Sequence, residues 1–360
     1  MSIYIHIPFC SSICTYCDFC KVLKNNQWIN KYLTSLEKEI KQKYHGEYVK
    51  TLYIGGGTPS SLSLEDLTRL FIILKIFNID EDTEITFESN SEDLTLDKIN
   101  FLKQHINRLS IGVQTFNKKT LKILNRKLNA ENLNNAFKNF DNINIDLMYG
   151  FQNQSINDLK SDLNKIVKLN PTHISTYCLI LEPNTKLYID NYTPLEDDRE
   201  RDMYDLIVQT LKDNNYEQYE LSNFSKPKYQ SKHNLVYWNN ENYYGFGLGA
   251  SGYIDNIRYE NTRSLTEYLK GNYILVKDEL SLDETIQNEF ILGFRKIAGI
   301  NKQNFYQKYK ISLKEINIIN ELLSQKLLIE NKNNIYINSK YLYTSNEVLL
   351  NFIDFTLHKH

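Results

Sequence analysis

The chain has 360 residues, with 42 lysines and arginines against 44 acidic residues and a formal net charge of −2. This even balance, without any basic stripe along the sequence, argues against nucleic acid as a partner. The sequence contains no apolar run of membrane-spanning length and no charged leader with a cleavage site, which predicts a cytoplasmic protein.

Six short apolar runs in the first half of the chain predict β-strands at the spacing of βα units. They are residues 3–7, 51–54, 84–88, 108–113, 144–148 and 173–179. Amphipathic helices are predicted between them, with Ile29, Leu33, Leu36 and Ile40 on one helical face and Leu67, Leu70, Phe71 and Leu74 on another. Six successive βα units predict a parallel sheet, open or curved into a partial barrel.

The pattern changes beyond residue 183. Residues 202–213 predict a helix, 216–224 a strand and 245–252 a glycine-rich turn. Short helices then precede a hairpin predicted at 326–338, and this combination resembles a winged-helix appendage. The predicted domains are a core at 1–183, an extension of the barrel at 184–283, and a C-terminal helical, winged-helix-like domain at 284–360.

Four of the five cysteines lie in one loop directly after the first predicted strand: Cys10, Cys14, Cys17 and Cys20. In a reducing compartment, clustered thiols are ligands or redox groups more often than disulfides, and thiolates select zinc or an iron–sulfur cluster. A structural zinc site usually takes two separated pairs of ligands, and no second pair follows here. The C-x3-C-x2-C spacing, with Tyr16 before the third cysteine, instead resembles the signature of radical S-adenosylmethionine (SAM) proteins.

In that family three thiolates hold three irons of a [4Fe-4S] cluster, and the fourth iron stays open for SAM. The resemblance therefore implies Cys10, Cys14 and Cys17 as the cluster ligands. Cys20 is predicted to be a non-ligand, because a fourth thiolate would block SAM. Cys178 lies in an apolar strand and is predicted to be a small core residue. A structural metal loop remains the alternative, which iron and acid-labile sulfide analysis would distinguish.

Further motifs extend the resemblance over the whole chain, to the oxygen-independent coproporphyrinogen III oxidase group of the radical SAM family and, within it, to heme chaperones. The motifs are YIHIPFC (4–10), YIGGGTPSSL (53–62), RLSIGVQTFN (108–117), LNRKLN (124–129), NIDLMYGFQNQ (144–154), HISTYCLILEPNT (173–185), SKHNLVYW (231–238) and YYGFGLGASGY (243–253). The implied fold is α/β, a partial (β/α)6 barrel of radical SAM type with a C-terminal α+β, winged-helix-like region. Most of these motifs follow the ends of predicted strands, where α/β barrels build their sites.

The resemblance also implies which residues bind the cofactors. The SAM contacts would be Tyr4, Gly56, Gly57, Thr58, Glu88, Gln114, Arg126 and Asp146. His233 would take part in heme binding, and axial ligation is one way for it to do so, since imidazole is the commonest axial ligand. The alternative is a histidine that hydrogen-bonds a neighbouring strand. His6 is the rival heme candidate, but its place beside the cysteines predicts that it orders their loop.

Two functions remain open. The first is a heme chaperone that binds a [4Fe-4S] cluster, SAM and heme and transfers heme to an acceptor protein, without being an oxidase. The alternative is oxygen-independent coproporphyrinogen III oxidase, which decarboxylates propionates in porphyrin biosynthesis. The oxidase pattern is C-x3-C-x2-C-x-C and follows a long N-terminal extension, whereas Cys20 comes one residue later and only three residues precede Tyr4. Both differences favour the chaperone.

The partners implied by the resemblance follow from that function. They are heme, a heme-acceptor protein such as one of the respiratory chain, which could be membrane-associated, and an electron donor for the cluster. A second copy of the chain, in a homodimer, is the remaining partner to test.

Overall fold

A computed structural model describes residues 1–357 and contains one mixed sheet of twelve strands. The strands are β1 Ser2–Ile7, β2 Thr51–Gly56, β3 Glu84–Asn90, β4 Arg108–Gln114, β5 Ile143–Tyr149, β6 His173–Cys178, β7 Glu217–Gln218, β8 Asn223–Ser225, β9 Tyr243–Phe246, β10 Ser251–Ile254, β11 Ile257–Asn261 and β12 Ile274–Glu279. Their order is β12-β11-β10-β9-β1-β2-β3-β4-β5-β6-β8-β7. Strands β1 to β6 are parallel, β9 pairs with β1 in parallel, and the remaining pairs are antiparallel.

Helices connect and cover these strands. They are α1 Asn26–Lys43, α2 Leu64–Leu74, α3 Leu96–Leu102, α4 Lys118–Ile123, α5 Ala130–Asn139, α6 Ile156–Leu169, α7 Lys186–Ile189, α8 Asp197–Asp213, α9 Lys232–Trp238, α10 Leu265–Lys270, α11 Leu282–Gly293, α12 Lys302–Tyr309, α13 Asn317–Ser324 and α14 Ser345–Leu349. None of the described helices is long and apolar enough to cross a membrane.

The six predicted strands and their parallel order are confirmed. Successive residues of a strand point to opposite faces of the sheet, so one set of side chains enters the core and the other set faces away from it. In β1, Ile3, Ile5 and Ile7 are fully buried in the main apolar core, whereas Tyr4 and His6 face the opposite side and line a cavity. The two sets of helical residues predicted to share a face are also buried in that core. The sheet has two ends, so it forms a partial barrel and is not closed.

Two predicted elements differ from the structure. The helix predicted at 202–213 begins at Asp197, and the acidic residues of its first turn stabilise the positive end of the helix dipole. The strand predicted at 216–224 is two short antiparallel strands, β7 and β8. The carboxylate of Glu220 between them accepts hydrogen bonds from the Ser222 amide and the Asn223 side chain, which turns the chain.

The C-terminal part has an apolar core of its own, built by residues 286–352. The predicted hairpin is confirmed as β14 Leu328–Glu330 and β15 Asn334–Ile337, and β15 also pairs with β13 Ile300–Asn301. A separate core supports a domain boundary near 284. We keep the three domain ranges as a proposal, and residues 358–360 of the last one lie outside the described residues.

Candidate functional site

A cavity of about 900 Å³ lies at the carboxyl ends of the parallel strands and extends over β9, β10 and β11. The cysteine loop lines one end, and Tyr243, Tyr253 and Arg258, level with the start of β1, line the other. All eight predicted SAM contacts border this cavity, as do the four clustered cysteines: Tyr4, Gly56, Gly57, Thr58, Glu88, Gln114, Arg126, Asp146, Cys10, Cys14, Cys17 and Cys20. Of the predicted site residues, only His233 is not brought to the cavity.

The cysteine loop is closed at its base by a short parallel ladder between Phe9–Cys10 and Val22–Leu23. The Val22 amide donates to the Pro8 carbonyl at 2.7 Å, so the segment between them projects as a compact loop. All the cysteines are free thiols. Within residues 1–357 no three side chains already stand together as metal ligands, and the cysteine trio therefore stays a prediction.

The environment of the thiols fits a metal cluster. The Thr58 hydroxyl donates to Cys10 Sγ at 3.5 Å, and Arg126 Nη1 donates to Cys14 Sγ at 3.8 Å. Burial raises the pKa of Cys10 to about 11 and also raises the pKa of Cys17. Both thiols are protonated at neutral pH, and metal binding would release their protons.

The glycine run at the end of β2 is explained by close backbone approach to this loop. A Cβ atom on Gly57 would lie 2.6 Å from the Pro8 carbonyl oxygen and 2.9 Å from Cys10 Sγ. Gly56 has a φ of +116°, and a Cβ there would lie 2.8 Å from the His6 ring. Both glycines therefore let the end of β2 pack directly beneath the predicted cluster.

Gly56→Ala is expected to destabilise the protein more than Gly46→Ala. Gly46 has a φ of +93° and nothing within 4 Å of its Cβ position, so alanine costs only the left-handed backbone there. That cost is about 1–2 kcal/mol. Gly56→Ala adds the clash with His6 and is expected to weaken SAM binding as well. Urea unfolding and SAM titration of both variants measure this; equal losses would mean that the His6 contact is unimportant.

Two carboxyl groups of the cavity floor are half-buried. Glu88 accepts hydrogen bonds from the Tyr53 hydroxyl at 2.6 Å and from the Gly56 amide at 3.0 Å. Burial, with the nearby carboxyl of Asp146, raises the pKa of Glu88 to about 7. Burial also raises the pKa of Asp146, whose carboxylate accepts from Asn144 Nδ2 at 2.7 Å. These groups suit a ribose diol or a sulfonium.

The hydrogen-bond donors near the cysteine loop are the side chains of Gln114, at the end of β4, and Arg126, in the segment that follows. Arg126 is 8% exposed, and its Nη2 donates to the Gly112 carbonyl at 2.7 Å while its Nε has no partner. Gln114 has a φ of +67° at the irregular end of β4, an uncommon conformation for a residue other than glycine. Strained backbone concentrates at functional sites, which supports the prediction that Gln114 contacts a ligand.

His6 connects β1 to the cysteine loop. Its Nδ1 is 2.9 Å from the Tyr4 hydroxyl and its Nε2 is 2.7 Å from the Cys20 carbonyl. Burial lowers the pKa of His6 to about 4, so the ring is neutral and can donate one of these hydrogen bonds and accept the other. These contacts give His6 the loop-ordering position expected from the sequence.

The structure argues against His233 as an axial heme ligand. The residue is 1% exposed and lies in α9, with Nδ1 2.7 Å from the Thr51 hydroxyl and Nε2 2.8 Å from the Tyr237 hydroxyl. Its ring packs against Tyr53 with the centroids 5.1 Å apart. Ligation would require both hydrogen bonds to be rearranged and the ring to leave the core. This arrangement corresponds to the alternative interpretation, a histidine bonded to a neighbouring strand.

Two residues at the end of the cavity away from the cysteine loop were not predicted as site residues from the sequence. Tyr253 and Arg258 line it together with Tyr237, Trp238 and Tyr243. Tyr253 and Arg258 belong to β10 and β11, whose register against β9 brings them into one row. The high tyrosine content of residues 243–259 could have indicated an aromatic site in the sequence. Only the register of β9, β10 and β11 shows which of these side chains face the cavity.

The partial barrel, the cysteine loop and the glycine-rich strand end together define a radical SAM protein, and residues 4–166 match the Radical SAM superfamily. Over nearly the whole length the chain is similar to heme chaperone HemW of Lactococcus lactis subsp. lactis (strain IL1403), with 40% identity covering 98% of this chain and 97% of that protein. Heme chaperone HemW of Bacillus subtilis (strain 168) is 36% identical, covering 98% and 99%. The chain belongs to the HemW family.

Among solved structures, the coproporphyrinogen III oxidase HemN from Escherichia coli has the same fold. Its TM-score is 0.84 at 23% sequence identity, covering 98% of this chain and 89% of that one. At this identity the match establishes the architecture alone.

Proposed function

We propose that the chain is a heme chaperone, which carries a [4Fe-4S] cluster, binds SAM and heme, and passes the heme to an acceptor protein. The observation that carries this proposal is the continuity of the cavity, which joins the cysteine loop to a wall of aromatic and arginine side chains. The near full-length similarity to proteins named heme chaperones supports it. In this proposal the chain acts in the cytoplasm, and an electron donor reduces the cluster.

The cluster would be held by Cys10, Cys14 and Cys17. It would supply a redox centre with one iron open to the amino and carboxylate groups of SAM. Three thiols on one short loop, with Cys10 packed against Gly57, which admits no Cβ, fit such a group. Arg126, with its unpartnered Nε, would bind an anionic group near the loop, and Glu88 would accept hydrogen bonds from a hydroxyl.

Heme would occupy the aromatic end of the cavity. The Tyr237 and Tyr243 rings pack edge to face with centroids 4.7 Å apart, and both line the cavity. Aromatic faces suit a flat macrocycle, and pockets for such ligands are mostly apolar with a few oriented polar groups. The volume of about 900 Å³ lies at the upper end of the range for ligand pockets.

Anaerobic reconstitution followed by two parallel assays tests the function. The reconstituted protein is titrated with heme, and a second portion is incubated with coproporphyrinogen III, SAM and a reductant. We expect tight heme binding and no loss of carbon dioxide from the propionates. Decarboxylated tetrapyrrole in the second assay, detected by mass spectrometry, would instead establish the oxidase.

His233→Ala is expected to lower the free energy of unfolding by about 2–4 kcal/mol, because it opens a cavity and leaves the Thr51 and Tyr237 hydroxyls without their partner. In the folded variant, the Soret maximum of bound heme is expected to match that of the parent. His45→Ala, at an exposed histidine, is the control. A shifted Soret band with unchanged stability would restore His233 as an axial ligand.

A further inference from the structure

The aromatic end of the cavity contains a row of side chains set by strand register. Tyr243 of β9 is opposite Tyr253 of β10, which is opposite Arg258 of β11. Directly opposed residues of neighbouring strands point to the same face of a sheet. All three line the cavity, so the row places one guanidinium beside two aromatic rings at the end away from the cysteine loop.

The guanidinium of Arg258 is held in place but not neutralised. Its Nη2 donates to Asn240 Oδ1 at 3.2 Å, and its central carbon lies 4.8 Å from the centroid of the Tyr253 ring. It forms no ion pair with any residue between 1 and 357. Arg263, another arginine that lines the cavity, is different, because it lies near Cys20 of the cysteine loop, is 57% exposed and pairs with Glu260 at 3.4 Å.

Two N–H donors of this wall are buried without an acceptor. They are Nε of Arg258 and Nε1 of Trp238, a second residue that lines the cavity. A buried donor without a partner costs about 1–3 kcal/mol, and more when it is charged. Native structures seldom leave such groups unsatisfied, and both of these belong to residues that line one cavity, where a ligand would supply the acceptor.

We propose that Arg258, with the indole N–H of Trp238, forms a carboxylate-binding subsite that holds a propionate of the bound tetrapyrrole. The proposal rests on the heme-chaperone function above and adds how the ligand is oriented. A carboxylate is the planar, two-oxygen acceptor that matches an arginine fork, and charge-assisted bonds of this kind are the strong ones. The macrocycle would then lie over the tyrosines with its propionate edge toward β11.

Heme and heme dimethyl ester distinguish this subsite from general packing, since the ester keeps the macrocycle but removes the carboxylate charges. Cluster-reconstituted parent protein is expected to bind heme about tenfold or more tightly than the ester, the effect of one charged hydrogen-bonded contact. Arg258→Gln is expected to remove this preference by weakening heme alone. Trp238→Phe is expected to reduce it several-fold, and Arg69→Gln, on the surface of α2, is the control.

The outcomes separate the two proposals. If Arg258→Gln and Trp238→Phe weaken heme and ester equally, or weaken neither, the carboxylate subsite is wrong while heme binding by the parent still supports the chaperone. If the reconstituted parent binds neither ligand, both proposals fail. Arg258→Lys keeps the charge without the fork and is expected to recover part of the preference, which confirms that the variants report charge and not misfolding.

Discussion

Alanine at Cys10, Cys14 or Cys17 is expected to abolish iron and acid-labile sulfide after anaerobic reconstitution, whereas Cys20→Ala retains most of both. Each of the three predicted ligands would supply one of only three protein bonds to the cluster. Losing one would leave two irons without a protein thiolate, with only solvent in place of the missing ligand. Cys20 has other contacts: its carbonyl accepts a hydrogen bond from His6, and its side chain packs against Gly249.

Cys178→Ala is the matched control for this series, because its thiol lies at the end of β6 against Gly150 and is not part of the cysteine loop. Iron, sulfide and the cluster absorbance are measured per chain for all five variants. A loss in Cys20→Ala as large as that in Cys17→Ala would make Cys20 a ligand, and no iron would then remain open for SAM. Zinc without sulfide in the parent would instead indicate a structural metal loop.

The parallel half of the fold was predictable because its signals are local. A run such as Ile3–Ile7 alternates between a helix-covered face and a cavity-lining face, and the spacing of such runs specifies βα units. Parallel strands joined by right-handed crossovers leave few topologies, so the placement of Gly56, Glu88 and Gln114 at one rim followed directly.

The rest of the site depends on pairings between distant segments. The sequence of β9 does not indicate that this strand pairs in parallel with β1. This pairing nevertheless places Tyr253 and Arg258 at the cavity. The segment containing His233 was assigned by motif alone, and its environment is decided by Thr51, which is 182 positions away in the chain. Imidazole is equally suited to ligation and to buried hydrogen bonding, so residue type could not separate the two.

The affinity for SAM is expected to rise about tenfold between about pH 6 and about pH 8, because Glu88 ionises in that interval. Burial raises the pKa of Glu88 from its ordinary value of 4.5 to about 7. Below that pKa the carboxyl group is neutral; above it, the carboxylate accepts hydrogen bonds from a diol and attracts a sulfonium. SAM binding is measured by calorimetry across this range on the cluster-reconstituted protein.

Stability in the absence of SAM is expected to change in the opposite direction. A carboxyl group whose pKa is higher in the folded than in the unfolded chain stabilises the fold fully below pH 4.5, and this contribution is lost as the pH rises through about 7. Glu88→Gln is expected to flatten both profiles, whereas Glu65→Gln, on the exposed side of α2, leaves both unchanged. If Glu88→Gln flattens only the stability profile, Glu88 is an acid of the cavity wall that does not contact SAM. If it flattens neither, the pH dependence arises from another group.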